Sequence, residues 1–279
     1  YMMSLITINP EPVYHELLHY AIQHNCRVAA KWLLEQSGST IHSYRPNGVT
    51  FIDIAVRYGH WDMVELLKDQ YPSLANYRNN RNMTLLDIAA YYNQVHMIPK
   101  LQQAGLSITT QHPNSGLQSI HHALVNRACN AMDYLLEQDA RVLQARTKKG
   151  STLMHGAIIH AQEDMVKYLL AKKADIHVAN HDGITPLGYA AKLGFQSIVE
   201  LLLDTDNTPI LNAADEPCCA FTHAIKANKL NIVQTFLQVE NSEVLLFRPV
   251  AVAVICEASN SSSISTVQFP LKSAMVVPK

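Results

Sequence analysis

Small and apolar residues recur along this chain with a long period. Seven alanines, Ala21, Ala55, Ala89, Ala123, Ala157, Ala190 and Ala224, stand 33 or 34 residues apart. Three positions before them come Leu18, Ile52, Leu86, Ile120, Met154, Leu187 and Phe221. Further small or apolar residues follow eight, nine and twelve positions after each alanine, as in Met63, Val64 and Leu67 or Ile198, Val199 and Leu202. Spacings of three and four put such residues on one buried helical stripe. Each period therefore predicts two short helices that approach closely at the alanine. One such hairpin cannot bury its apolar face alone, so the periods must stack.

The polar positions mark the turns. Four residues after the alanines stand Asn25, Gly59, Asn93, Arg127, Ala161, Gly194 and Asn228. Gly and Asn tolerate the left-handed conformation that ends a helix, so a left-handed turn is predicted there. Arg127 and Ala161 depart from this chemistry and predict a strained or reshaped turn. Seven residues before the alanine, Gly48, Asn82, Gly116, Gly150 and Gly183 mark the loop tips.

The stretch Asp182-Gly183-Ile184-Thr185-Pro186-Leu187, followed by Ala190-Ala191 and Gly194, resembles the ankyrin repeat, whose period is about 33 residues. Partial copies are Gly48 to Ala55, Met83 to Ala90 and Gly150 to His155. The histidine of the family pattern stands here as His19, His121 and His155, and is replaced by Asp53, Asp87, Gly188 and Thr222. The resemblance implies an all-α ankyrin-repeat solenoid of about seven helix-turn-helix repeats within residues 1–240, centred on the seven alanines. Residues 12–36 lack the loop signature and predict an N-terminal cap. Residues 241–279 predict a degenerate eighth repeat, because Thr266 to Leu271 falls in register with Ile232 to Leu237, or else a capping tail in which Val250 to Ile255 suits a strand.

Composition narrows the function classes. The chain has 279 residues, 48% hydrophobic, with a formal net charge of −1. That balance gives no general attraction to nucleic acid or to an anionic membrane. No apolar run approaches the roughly 20 residues that span a bilayer. The five cysteines, Cys26, Cys129, Cys218, Cys219 and Cys256, fit no zinc spacing and read as reduced thiols of an intracellular, cytoplasmic protein. Phosphate-binding glycine motifs are absent, so no nucleotide or other cofactor is expected.

Fourteen histidines invite a metal reading. His15-Glu16-Leu17-Leu18-His19 matches H-E-x-x-H in letters. That motif needs a third ligand and a cleft, while Leu18 and Ala21 belong to the repeat core. No metal site is expected, nor a thiol nucleophile at Cys218 or Cys129, where no orienting partner is identifiable from spacing. Ankyrin repeats are also substrates of an asparaginyl hydroxylase, and only Asn76 stands at the position that the resemblance implies.

The remaining candidate is a binding surface. In the family, partners touch the loop tips and the inner face of the first helices. The corresponding positions include Arg57, Tyr58, Arg81, Tyr91, Tyr92, Asn126 and His160. Tyr and Arg dominate interface hot spots, so the expected cluster lies in the second and third repeats. The expectation is a monomeric, non-catalytic protein-protein interaction scaffold whose partner is a protein or peptide of acidic or aromatic character. The rivals are a structural assembly subunit, and the targeting arm of a larger enzyme or of an effector secreted by an intracellular bacterium into its host, the catalytic domain lying outside this chain.

Overall fold

Pairs of short helices, each pair closed by a left-handed turn and joined to the next by a loop, make up the described chain. The computed structural model describes residues 11–37, 48–71, 73–205 and 220–238. These residues form fourteen α-helices, three short 3-10 helices and no strand. The first unit, Tyr1–Pro186, contains α1 (Glu11–Gln23), α2 (Arg27–Ser37), α3 (Phe51–Arg57), α4 (Trp61–Leu67), α5 (Leu85–Tyr91), α6 (Ile98–Gln103), α7 (Ser119–Val125), α8 (Cys129–Gln138), α9 (Leu153–Ile159) and α10 (Glu163–Ala171). The second, Leu187–Lys279, holds α11 (Pro186–Leu193), which begins at the boundary, with α12 (Gln196–Thr205), α13 (Ala220–Lys226) and α14 (Leu230–Gln238). Within the first unit each odd-numbered helix packs on its even-numbered successor and on the next odd-numbered helix. This is the all-α solenoid that the periodicity predicts. The expected eighth repeat lies outside the described residues.

All seven periodic alanines are buried, and six of them are fully so. Their carbonyls also set the helix ends. In every pair the alanine C=O accepts the N–H five residues on, at 2.7 to 3.1 Å: Cys26, His60, Gln94, Ala128, Gln162, Phe195 and Lys229 are the donors. The residue between carries a positive φ, from 51° at Ala161 to 89° at Gly194. That is the Schellman ending, in which one left-handed residue lets two N–H groups cap carbonyls the helix leaves unpaired. Arg127 (φ 55°) and Ala161 (φ 51°) adopt the same turn as the Gly and Asn repeats. Of the two outcomes expected there, the turn is strained and not reshaped.

The first helices start on polar boxes. Thr50 and Thr84 sit before α3 and α5, and their N–H groups donate to Asp53 and Asp87 at 3.0 and 2.7 Å. The aspartate N–H groups bond back to the threonine hydroxyls, at 3.4 and 3.0 Å. Before α9, the Thr152 N–H donates to His155 Nδ1 at 3.2 Å, and the His155 Nε2–H reaches the Ile184 carbonyl at 2.9 Å. Asp and His are thus two solutions to one capping problem.

The first helix pair differs from the expected cap. Four, one and eleven positions from the alanine, the other pairs of this unit place residues that are buried or half-buried. In α1 and α2 the equivalent residues are Leu17, Tyr20 and Trp32, exposed by 49, 62 and 53%. A capping face should be polar; this one is apolar.

The left-handed turns supply a stability test. A side chain at αL costs about 1–2 kcal/mol where glycine costs little. Ala161→Gly should therefore raise the urea midpoint by the equivalent of about 1 kcal/mol, with the m-value unchanged. Loss of stability in that variant would contradict the assignment of strain to this turn.

Candidate functional site

The C-terminal ends of the first helices form a row in the first unit. Its members are Gln23 and His24, Arg57 and Tyr58, Tyr91 and Tyr92, Val125 and Asn126, and Ile159 and His160, all exposed or half-exposed. They protrude because the Schellman turn begins just after them. Tyr58, Val125 and Ile159 are large apolar side chains exposed by 37 to 45%, and no carboxylate lies in the row.

Arg57, Tyr58, Tyr91 and Tyr92 come together here. The Arg57 guanidinium lies 4.8 Å from the Tyr92 ring centroid and 5.6 Å from that of Tyr58. Tyr91 meets Tyr92 edge-on, centroids 4.9 Å apart. Cation-π contacts hold the arginine fork in place, yet among the described residues its N–H groups have no carboxylate partner. The group can therefore receive a carboxylate or a carbonyl from outside.

The other three expected residues fare differently. Arg81 lies exposed at its loop tip; its backbone N–H bonds Asn79 Oδ1 at 3.0 Å, and no side-chain contact joins it to the tyrosines among the described residues. His160 is exposed at the end of α9. Asn126 has work inside the fold, since its Nδ2 donates to the Tyr91 carbonyl at 2.7 Å.

That bond belongs to a series that sequence reading missed. His60 Nε2, Gln94 Nε2 and Gln162 Nε2, each just after a left-handed residue, donate to the carbonyls of Gln23, Arg57 and Val125 at 3.0, 2.9 and 2.8 Å. Each carbonyl is two residues past the preceding repeat's alanine, among the unpaired groups of a helix end. Where Ala128 cannot donate, Asn126 does so from two positions earlier. A polar side chain recurring at the residue after the turn was the available signal.

Two buried carboxylates at the same repeat position behave in opposite ways. Burial dominates at Asp53 and raises its pKa, against hydrogen bonds from Thr50 and Tyr77. At Asp87 burial also pushes upward, but the bond from His112, the nearby His122 and the Ser119 hydroxyl outweigh it, and the net pKa is low. His112 Nε2 and Ser119 Oγ reach the Asp87 carboxylate at 2.8 and 2.7 Å. Beside this group, His121 Nδ1 accepts the Gln118 N–H at 3.1 Å, which leaves the proton on a buried Nε2 with no hydrogen-bond partner among the described residues. Burial, then the neighbouring His122, push the His121 pKa down to about 4.

The H-E-x-x-H match does not assemble a centre. His15 is buried beside the Phe51 ring, 6.3 Å between centroids, whereas Glu16 is exposed on α1. Cys129 is half-buried, its thiol 3.9 Å from Met165 Sδ. Cys218 lies outside the described residues. No helix among the described residues is long and apolar enough to cross a membrane.

Comparison with known proteins agrees with this architecture. A family model described as ankyrin repeats matches in three copies, over residues 18–112, 86–180 and 154–246. No curated protein sequence matches significantly. Among solved structures, one chain of the complex between the Bd0816 predatory endopeptidase from Bdellovibrio bacteriovorus and immunity protein Bd3460 is similar, with a TM-score of 0.53 and 19% identity over 68% of this chain and 98% of that one. At that identity the likeness shows the fold alone.

The buried imidazoles predict acid sensitivity. Burial lowers the pKa of His121, His122 and His155. Unfolded, each titrates near 6.5. As pH falls below about 6.5, and for His121 on towards about 4, the unfolded chain takes up protons that the folded chain refuses, so stability falls. Asp87 adds nothing to this window, because its contribution is lost only below about 3.8. Urea denaturation in EDTA should show a loss of up to about 1.4 kcal/mol per pH unit for each such histidine, and His121→Gln should flatten the profile. An unchanged slope in His121→Gln would contradict the assignment.

Proposed function

The chain belongs to the ankyrin-repeat family, a generic protein-interaction fold, and on that premise we propose that it is a non-catalytic scaffold that binds a partner protein along its row of first-helix ends. The observation that carries this reading is the Arg57 guanidinium beside the Tyr58 and Tyr92 rings, with no carboxylate partner among the described residues. Arginine beside tyrosine is the composition of an interface hot spot. The preferred partner is a protein segment that brings a carboxylate to Arg57 and an apolar or aromatic side chain to Tyr58, Val125 and Ile159.

Rigidity supports the same reading. The side chains of His60, Gln94, Asn126 and Gln162 tie each helix end to the one before it. A surface fixed in advance loses little conformational entropy on binding. Asn126 braces this surface through its bond to the Tyr91 carbonyl, while Arg81 and His160 flank it as weaker contacts.

Affinity capture from cell extract with the wild-type chain, read by quantitative mass spectrometry, supplies a partner for the purified test. Arg57→Ala combined with Tyr58→Ala and Tyr92→Ala should then weaken binding of that purified partner about 30-fold or more, equivalent to at least one hot-spot residue of about 2 kcal/mol. Its circular dichroism should match the wild type. Equal affinity in a folded triple variant would overturn the placement.

A further inference from the structure

Asp87, His112 and His122 present ligand atoms that all lie within 4.8 Å of one another, and we propose that they form a zinc-class metal site that staples the third repeat to the fourth. The three residues come from α5, from the loop after α6 and from α7. They are 25 and 10 residues apart in sequence, so no local motif announces them.

The donor set suits the ion. Two imidazoles and a carboxylate are the ligand types of three-ligand zinc centres, whose fourth position takes a water. Zinc ligand distances of about 2.0–2.2 Å need donors roughly 3.3 Å apart, so the cluster closes around the ion by side-chain shifts on the order of 1 Å. His122 Nε2 is buried and makes no hydrogen bond among the described residues, whereas the imidazole itself is only half-buried and leaves a route from solvent. An imidazole nitrogen within 4.8 Å of the Asp87 carboxylate and of His112 gains a partner when the cation arrives. His112 already touches both members, bonded to Asp87 at 2.8 Å and lying 5.1 Å, centroid to centroid, from the His122 ring.

An outer layer of bonds is in place. Thr84 gives Asp87 Oδ2 both its N–H and its hydroxyl at 2.7 Å, and Ser119 Oγ holds Oδ1 at 2.7 Å. Such bonds orient a ligating carboxylate.

The test uses the untagged chain, stripped with EDTA and desalted. Zinc ion titrated against a competing chromophoric chelator should reveal one saturable equivalent per chain and raise Tm by several degrees. His122→Gln should weaken the binding at least tenfold, while substitution of the exposed His181 by Gln should leave it unchanged. Crystals of the wild-type chain soaked in zinc ion should show an anomalous peak between the three residues, which keeps the test decisive if His122→Gln fails to fold. No saturable binding, binding indifferent to His122→Gln, or a peak elsewhere would each overturn the site; the cluster would then be a hydrogen-bonded staple without metal.

Discussion

The left-handed residue four positions after each buried alanine is the constraint on which this molecule depends. It stops the first helix at a fixed length and sends the alanine carbonyl a new donor. It also aims the next side chain at the preceding repeat. From that geometry come the close approach of the two helices, the helix-end hydrogen bonds and the row of exposed residues. Arg127 and Ala161 adopt it against their own conformational preference, which indicates how firmly stacking imposes it.

The polar interior follows a second rule. At the start of α3, α5, α7 and α9 the residue at the family's histidine position accepts the N–H that opens the helix, whether it is Asp or His. Their electrostatic consequences differ. A neutral tyrosine beside Asp53 leaves burial in charge, while His112 and His122 beside Asp87 reverse the balance. One capping device thus yields two unlike buried carboxylates in successive repeats.

Much of the fold was legible in the sequence because it rests on local chemistry. The alanine register predicted the helix pairs, and Gly or Asn at the turns predicted the positive φ values. The exposure of Arg57 and Tyr58 followed from the same register. Contacts between repeats were less visible. Asn126 was read as a surface residue, and its bond to the Tyr91 carbonyl depends on Ala128 standing where other repeats carry a donor. Arg81 was expected to join the tyrosines, but the loop tip that carries it gives it no contact with them. The grouping of Asp87, His112 and His122 needed the stacking geometry, since H-E-x-x-H was the only spacing signal and it led to α1. The apolar side of α1 and α2 was likewise misread as a cap, because the missing loop signature says nothing about which face is exposed.

The central claim is that this chain presents a pre-formed row of first-helix ends to a partner protein. Hydrogen exchange with and without the bound partner, followed by mass spectrometry, tests it most directly. The account predicts added protection in peptides that cover Arg57 and Tyr58, Tyr91 and Tyr92, Val125 and Ile159, with little change in α4, α6 and α8. Protection confined to α4, α6 and α8, with the row unaffected, would contradict it.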